Sequence, residues 1–302
     1  MAHSLIHHLQ CPVCGSRHIA PALQATDHTV SGQVFAIWAC TDCTARFTQD
    51  VPDADSIGPY YAADSYISHT DTDTGLISKL YKLARRYTLR LKTRQVQRLS
   101  GRSAGHLLDV GAGTGAFAHA MQQAGWQVTG LEPDAGARSV AYKNYHLQLQ
   151  SPDQLAHLPA NSFHVISLWH VLEHVHALHD YFDQFQRLLA PDGVVLIAVP
   201  NYQSADAAHY QQHWAAYDVP RHLYHFSPRS LSAVAGLHGF TVAQRLPMWL
   251  DAFYIALLSE QYRHGRQRLI AAGWQGLRSV LRARRSADAA SSLVYVLRRR
   301  SS

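Results

Sequence analysis

The chain has 302 residues, of which 47% are hydrophobic and 16% are charged, a composition typical of globular proteins and not of disordered ones. A chain of this length is expected to hold about two domains. No apolar stretch approaches the roughly 18 residues of a membrane span. Residues 1–10 lack the apolar run of a secretory signal, so we expect a cytoplasmic protein.

The net charge of +6 conceals an uneven distribution. Residues 79–102 contain nine basic residues and residues 263–285 contain seven, with no acidic residue in either segment. Together with Arg298 to Arg300, these segments leave eight basic residues against 21 acidic ones in the rest of the chain. The overall basicity therefore does not by itself indicate a nucleic acid partner. We predict that the two segments face an anionic acceptor or, peripherally, the anionic inner surface of a membrane.

All the cysteines lie in two Cys-x-x-Cys pairs with 25 residues between them, and the four are Cys11, Cys14, Cys40 and Cys43. Such turns place two thiolates on one side of a loop, and two turns together form the tetrahedral sulfur site that Zn²⁺ prefers. We predict a structural zinc ribbon over residues 1–50, whose metal supplies folding energy that so small a core lacks. The alternative is a pair of redox-active or unpaired dithiols.

Residues 51–75 are polar and rich in turn formers, and we predict a linker or lid there. Tyr66 and His69 in this segment are candidate substrate contacts, although aromatic side chains can equally pack a linker onto a domain.

A helix is predicted over residues 76–99, where apolar residues recur at helical spacing. This stripe consists of Leu76, Leu80, Leu83, Tyr87 and Leu91. The opposite face is almost entirely Lys and Arg, which either faces solvent or contacts an anion or a membrane.

The segment LLDVGAGTG predicts a strand, a glycine-rich turn and a helix. Glycines let a ligand approach the backbone closely, and the helix start presents free N–H groups. A second strand over residues 127–131 ends in Glu132, where an acid can bind ribose hydroxyls. A dinucleotide site is the alternative. The tight spacing Gly111-x-Gly113-x-Gly115 and the carboxylate of Asp109, two residues before the loop, argue against it.

Four motifs in order, LLDVGAGTG, VTGLEPD, FHVISLWHVLEHV and LLAPDGVVLIAVPN, resemble class I S-adenosylmethionine-dependent methyltransferases. The closest resemblance is to the small-molecule group that includes ubiquinone-pathway O-methyltransferases. It covers residues 105–245 and a final strand near residues 292–297. It implies an α/β fold over residues 76–302, with a Rossmann-like seven-stranded sheet and helices on both faces. His164 stands where the family usually has Asp.

The resemblance also implies roles in binding S-adenosylmethionine. Asp109 would contact the methionine amino group, and Glu132 the ribose hydroxyls. Asp153 would reach the adenine amine, although Ser151 better matches the usual position of the acid. The residues expected along the methionine and ribose are Gly111, Gly113, Gly115, Leu168 and Trp169.

The predicted reaction centre follows the fourth strand and reads His170-x-x-Glu173-His174. In some relatives this place reads E-x-x-E-H and binds a divalent metal. One interpretation is that an imidazole takes a proton from the acceptor. A second is that the three residues hold a metal ion, and a third is that they shape a turn.

Two later segments complete the predicted architecture. Residues 214–228 are rich in aromatic residues and histidine, and Arg221, His222 and His225 are candidates for contact with an anionic or phenolic acceptor. The alternative is a packing loop. Residues 246–288 are longer than a hairpin between two strands requires, so we predict a helical insertion before the last strand. Its arginine-rich half either faces solvent, which we favour, or lies at a membrane surface.

These observations predict a methyltransferase with an N-terminal zinc ribbon, acting on a quinone-, lipid- or sugar-like small molecule, most often at oxygen. One rival is a ribosomal or transfer RNA methyltransferase that uses the ribbon and the basic helix. The other is a module that binds the cofactor without turnover, against which the intact Asp109, glycine loop and Glu132 argue.

Overall fold

A computed structural model describes residues 4–61 and 76–300, with side chains from residue 87 onward in the second range. The chain folds into two compact units. The first unit comprises residues 1–67, 170–182 and 197–295, and the second comprises residues 68–169, 183–196 and 296–302. Tyr66, His69 and the predicted linker beyond residue 61 lie outside the described residues.

The first unit contains the two small sheets of the N-terminal region. Strands β1 (Leu5–Ile6) and β5 (Val51–Pro52) form an antiparallel pair. The larger sheet has the order β10-β4-β3-β2. Its strands are β2 (Ile19–Thr26), β3 (Val34–Cys40), β4 (Arg46–Thr48) and β10 (Tyr224–His225). Because β10 comes from residues 224–225, the region predicted as a zinc ribbon shares a sheet with a much later segment of the chain, and both belong to the first unit.

Apolar alternation explains why β3 forms and where it packs. Phe35 and Ile37 point to one face of the strand and are buried, as side chains two residues apart in a strand must share a face. They pack in one cluster with Trp214, Tyr217 and Ala256. Residues after position 200 therefore share a hydrophobic core with β3.

Four helices of the first unit follow the core strands: α5 (Ala205–Tyr210), α6 (Pro228–Leu237), α7 (Asp251–His264) and α8 (Leu269–Arg285). The last two form the predicted helical insertion, between β11 (Phe240–Pro247) and β12 (Ser292–Arg299). Helix α8 buries a stripe of small residues at positions 272, 276, 279 and 283. This stripe permits close packing, since the ring of Phe253 from α7 lies directly against Gly276.

The sheet that carries the sequence motifs lies mainly in the second unit. Its strands in that unit have the order β12-β9-β8-β6-β7. The elements not yet named are α1 (Leu76–Ser100), β6 (His106–Val110), α2 (Ala116–Gln123), β7 (Gln127–Leu131), α3 (Ala135–Tyr145), β8 (Phe163–Trp169), α4 (Leu178–Leu188) and β9 (Leu189–Pro200). Strand β6 is parallel to both β7 and β8, which brings their carboxyl ends to one edge.

The sheet contains six strands in the described residues, including β11 beside β12, and not the seven that the resemblance implies. Beside β7 the chain forms one parallel bridge, between Leu131 and Gln150, in place of a further strand. The His164 substitution also has an explanation: its Nδ1 accepts a hydrogen bond from the N–H of His106 at 3.0 Å, so an acceptor is retained where the family has a carboxylate.

The predicted apolar stripe of α1 does not face the core at the two of its positions whose side chains are described. Tyr87 is 58% exposed and Leu91 is 43% exposed, whereas Val96 and Leu99 are buried. Lys92, directly after Leu91, is instead half-buried, and its amine lies over the ring of Trp169. An amphipathic lysine can occupy such a position, and a simple hydrophobic pattern misses it.

No helix in the described part of the chain is long and apolar enough to span a bilayer.

The packing of α7 on α8 predicts opposite effects of one substitution at two glycines. A Cβ at Gly276 would lie 2.5 Å from the Phe253 ring, whereas a Cβ at Gly273 would meet nothing within 4 Å. We expect Gly276→Ala to lower the free energy of unfolding by about 1–3 kcal/mol through overpacking. We expect Gly273→Ala to raise it by up to about 1 kcal/mol through helix propensity. Urea unfolding measures both, and equal effects at the two positions would contradict this packing.

Candidate active site

The glycine loop between β6 and α2 is held in a conformation that side chains disfavour. Gly111, Gly113 and Gly115 all have positive φ angles, of 71°, 54° and 79°. A Cβ at Gly115 would lie 2.9 Å from the Cβ of Ala141, so this glycine is needed for packing. A Cβ at Gly113 would meet no described atom within 4 Å, so a ligand can approach the backbone there.

Glu132 braces this loop from the end of β7. Its carboxylate accepts hydrogen bonds from the N–H groups of Gly113 at 2.7 Å and Asp134 at 3.0 Å. The side chain is buried, and burial raises its pKa, although these backbone donors oppose the shift. A buried carboxylate beside the glycine loop is suited to accept hydrogen bonds from ribose hydroxyls.

Asp109 lies at the end of β6, is 2% exposed and accepts a hydrogen bond from the Ser167 hydroxyl at 2.8 Å. Burial raises the pKa of Asp109 to about 7, while Ser167 and Lys92 partly oppose the shift. A nearby cation would restore the charged carboxylate, because opposite charge favours ionisation. Asp109 is therefore suited to bind a cationic amino group. Ser167 and Lys92 were missed by the sequence analysis, since only the sheet register and helix packing bring them here.

Trp169 ends β8 beside two residues of the same unit. Its ring packs edge-to-face on Phe117, with ring centroids 5.4 Å apart, and the amine of Lys92 lies 4.2 Å from its centroid. Its indole Nε1 is buried and has no hydrogen-bond partner among the described residues. The other predicted cofactor residues differ in placement: the Leu168 side chain is fully buried in the core, and Asp153 is exposed.

His170 follows Trp169 in the chain and belongs to the first unit. Its Nε2 lies 2.9 Å from Oδ2 of Asp251, and its Nδ1 lies 3.3 Å from Oε1 of Glu173. Burial disfavours the charged ring and by itself lowers the pKa of His170. The two carboxylates together have the larger effect and raise this pKa to about 10. His170 is thus an imidazolium near neutral pH, and this geometry does not support the interpretation of His170 as a proton acceptor.

Glu173, His174 and His222 lie together in the same unit. One ligand atom from each lies within 4.8 Å of those of the other two. The rings of His174 and His222 are edge-to-face with centroids 4.5 Å apart. Burial, followed by the charge of His222, lowers the pKa of His174 to about 4, so His174 is neutral near pH 7.

Arg221 and His225, predicted from the sequence as contacts to the acceptor, are paired with other groups of the protein instead. The guanidinium of Arg221 is fully buried, donates to Asp27 and Asp218 at 2.9 and 2.6 Å, and also donates to the carbonyl of Tyr60. His225 is 3% exposed, and its Nε2 lies 3.1 Å from the Thr48 hydroxyl. Neither side chain is available to an anionic acceptor in this arrangement, because charged and polar groups that are buried are already paired.

The four cysteines converge in the first unit and are all free. The sulfurs of Cys11 and Cys43 are 3.6 Å apart, and those of Cys14 and Cys40 are 3.7 Å apart. A tetrahedral zinc with Zn–S bonds of about 2.3 Å places neighbouring sulfurs about 3.8 Å apart. The cluster therefore fits a zinc ion, whereas a disulfide needs a far shorter separation.

Comparison with known proteins identifies the class. Residues 82–245, more than half of the chain, match a family model described as a methyltransferase domain, and the chain belongs to this family. It is an α/β S-adenosylmethionine-dependent methyltransferase of class I and an enzyme. Asp109, Glu132 and the glycine loop fit this cofactor, with a carboxylate for the amino group, a carboxylate for the ribose and open space at Gly113. A comparison with curated protein sequences gives no significant match.

The chain is also similar to solved structures at low sequence identity. A candidate sarcosine dimethylglycine methyltransferase from Galdieria sulphuraria is 14% identical with a TM-score of 0.50, over 74% of this chain and 88% of that one. An S-adenosylmethionine-dependent methyltransferase from Archaeoglobus fulgidus is 14% identical with a TM-score of 0.48, over 69% and 93%. The 1,6-didemethyltoxoflavin N1-methyltransferase of Burkholderia thailandensis is 18% identical with a TM-score of 0.46, over 92% and 100%.

The raised pKa of Asp109 predicts pH-dependent cofactor binding. The carboxylate must be charged to attract the methionine amino group, so affinity for S-adenosylmethionine should weaken as the pH falls from about 8 to about 6, through the pKa of about 7. Asp109→Asn should weaken binding by about tenfold or more at the upper pH, because a hydrogen bond to a charged group contributes about 1.5–3 kcal/mol. The variant should also show a flatter pH profile. Calorimetric titration measures both.

Glu132→Gln should weaken binding similarly, whereas Asp192→Asn serves as a control because its exposed carboxylate pairs with Arg102. Unchanged affinity in both Asp109→Asn and Glu132→Gln would refute the assignment of these carboxylates.

Proposed function

We propose that the enzyme transfers the methyl group of S-adenosylmethionine to an oxygen of a quinone-, lipid- or sugar-like small molecule. The observation that supports it most is the half-buried imidazolium of His170, held between Asp251 and Glu173 directly after Trp169 in the chain. The ring is fixed in place by these two contacts, and its partly exposed edge can contact an acceptor oxygen.

In this reaction the acceptor oxygen forms a bond to the methyl carbon while the carbon–sulfur bond breaks. The products are the methylated acceptor and S-adenosylhomocysteine, and the hydroxyl proton leaves to solvent. Most of the rate enhancement comes from alignment of the two reactants and exclusion of water. We propose that His170 orients the acceptor hydroxyl, and that Glu173 and Asp251 hold its ring in place.

This role predicts a distinctive pH profile with a surrogate catechol. His170→Gln should lower turnover by about tenfold or more, because misalignment of the acceptor is costly in rate, and should leave cofactor affinity nearly unchanged. The wild-type rate should fall as the pH rises through about 10, where His170 loses its charge. A rate that instead rises through that pH in the wild-type enzyme and not in His170→Gln would identify His170 as a proton acceptor. A variant with the wild-type rate would reduce the residue to a structural role.

We propose further that Cys11, Cys14, Cys40 and Cys43 bind one structural zinc ion. The sulfur separations support the proposal, and so does the position of the two turns. The N–H of Gly15 donates to the carbonyl of Cys11 at 2.8 Å, and that of Thr44 to the carbonyl of Cys40 at 3.1 Å.

Freshly purified, reduced enzyme should therefore contain about one zinc per chain that survives dialysis against a chelator. The double variant Cys11→Ser, Cys14→Ser should lose that zinc and unfold at a lower temperature. Metal analysis showing no zinc in the wild-type protein would reject the site.

We also propose that helix α8 contacts an anionic membrane surface. Ile270, Trp274, Leu277 and Leu281 form one stripe at helical spacing and are 92%, 66%, 43% and 50% exposed. Exposed arginines flank the stripe at positions 278, 282 and 285. Apolar residues that insert between acyl chains, with cations at headgroup level, match an interfacial helix. A second copy of this chain would instead bring arginines against arginines. The proposal also suits a lipid-like acceptor.

Vesicle flotation tests this surface. The enzyme should float with phosphatidylglycerol vesicles and not with phosphatidylcholine vesicles, because each arginine near an anionic surface contributes about 1 kcal/mol. The double variant Ile270→Ser, Trp274→Ser should lose flotation. Leu237→Ser, which removes an exposed leucine from α6, should retain it. Absence of lipid binding together with salt-dependent RNA binding would favour the RNA methyltransferase instead.

A further inference from the structure

A surface cavity of about 170 Å³ lies between α5 and α8, which both belong to the first unit. We propose that this cavity binds the phosphate monoester headgroup of a membrane lipid of the phosphatidic acid type. The inference rests on the membrane contact of α8 proposed above and names the lipid that this surface selects. The polar side chains that line the cavity are Asp206 and His209 from α5 and Gln275, Arg278, Ser279 and Arg282 from α8.

The first observation is a pair of arginines without a counter-ion. Arg278 and Arg282 are four residues apart on α8, so their side chains are neighbours on one face of the helix. Both are exposed, and in the part of the chain that the structure describes neither guanidinium forms an ion pair or a hydrogen bond. Like charges at this spacing repel each other, and an anion bound by both guanidiniums offsets the repulsion.

The second observation is that two nearby acids are occupied elsewhere. Asp206 is 2% exposed, and its carboxylate accepts hydrogen bonds from the Trp214 indole at 2.9 Å and the Ser279 hydroxyl at 3.2 Å. Glu260 on α7 is also buried, and one of its oxygens lies 3.6 Å from the guanidinium of Arg268. The arginines are therefore not neutralised from within the protein, and the cavity presents a positive surface that complements an anion.

The third observation is a neutral hydrogen-bonding pair in the cavity wall. The amide nitrogen of Gln275 lies 2.9 Å from Nε2 of His209. An amide nitrogen only donates, so this ring nitrogen accepts and the hydrogen of the neutral ring is on Nδ1. Burial, followed by the charges of Arg263 and Arg278, lowers the pKa of His209, although Glu260 opposes the shift. Neutral polar groups beside two guanidiniums suit a phosphate, which offers several acceptor oxygens.

The fourth observation is the position of the cavity beside the exposed apolar stripe of α8. Trp274 of the stripe is four residues before Arg278, and Leu281 of the stripe directly precedes Arg282. Side chains four apart are neighbours along a helix. When the stripe inserts between acyl chains, the two arginines are therefore at the level of the headgroups. A phosphate in the cavity can keep its acyl chains along the stripe.

The charge and volume of the cavity favour a phosphate monoester over a diester. A phosphate monoester carries about −1.5 to −2 charges near pH 7, which matches two guanidiniums, whereas the diester of phosphatidylglycerol carries a single negative charge. The cavity of about 170 Å³ corresponds to only a few water molecules of about 30 Å³ each. A bare phosphate therefore fits it better than a headgroup with a further substituent.

Flotation with vesicles of equal zeta potential tests the inference. The full-length enzyme is mixed with phosphatidylcholine vesicles that contain either phosphatidic acid or phosphatidylglycerol, in amounts that give the same surface potential. We expect about tenfold stronger partition onto the phosphatidic acid vesicles, as for a hydrogen bond between charged groups. Equal partition would overturn the headgroup site and leave the membrane contact intact. Binding to neither kind of vesicle would refute the contact and the site with it.

Variants with equal loss of charge locate the site. Arg278→Gln combined with Arg282→Gln should abolish the preference for phosphatidic acid. Arg284→Gln combined with Arg285→Gln is the matched control, because all four arginines are exposed on α8 and only the first pair lines the cavity. The control should weaken partition onto both kinds of vesicle and keep the preference. A preference that survives in the first variant would contradict the site.

A soluble phosphate ester distinguishes the lipid from a free ligand. Glycerol 3-phosphate should compete only weakly with the vesicles, because it has no acyl chains to contact Ile270 and Trp274. Calorimetric binding of glycerol 3-phosphate as tight as the vesicle partition would assign the cavity to a soluble ligand and overturn the lipid assignment.

Discussion

Burial of the Arg221 guanidinium is the constraint on which much of the first unit depends. An arginine cannot release its proton in the interior, so the chain must bring acceptors to it. Asp27 at the end of β2, the carbonyl of Tyr60 and Asp218 supply them, which joins three distant segments. Removing one carboxylate partner of such a buried cation typically costs about 3–5 kcal/mol. The carbonyl oxygen of Arg221 also lies 3.1 Å from Nδ1 of His174. The ion cluster is therefore in direct contact with a residue of the predicted reaction centre.

The buried carboxylates of the second unit are held differently from the charges around Arg221. Asp109 and Glu132 are buried with few partners, and burial raises the pKa of each. The folded protein alone therefore leaves these carboxylates incompletely stabilised. A ligand that brings an ammonium group to one and hydroxyls to the other offsets that cost on binding. The two acids lie at or directly after the ends of two neighbouring parallel strands, β6 and β7, where such a ligand would contact both.

The sequence predicted local features well and tertiary partners poorly. The glycine loop and the cysteine pairs were recognisable because their spacing alone sets the backbone geometry and the ligand geometry. The phase of α1 was wrong because Lys92 takes a half-buried position with its amine over the ring of Trp169, which a hydrophobic pattern does not reveal. The state of His170 could not be read either, because Asp251 is 81 positions away. Arg221 looked like an anion site for the same reason: its partner Asp27 lies 194 positions earlier.

The identity of the bound cofactor is the claim on which the rest of the functional account depends. Calorimetric titration of the purified full-length enzyme with S-adenosylmethionine, S-adenosylhomocysteine and NAD⁺ tests it most directly. The account predicts one binding site per chain for each of the two sulfur compounds and no measurable heat of binding with NAD⁺. Saturable binding of NAD⁺ without binding of S-adenosylmethionine would contradict it, and would show that the glycine loop and Glu132 serve a dinucleotide.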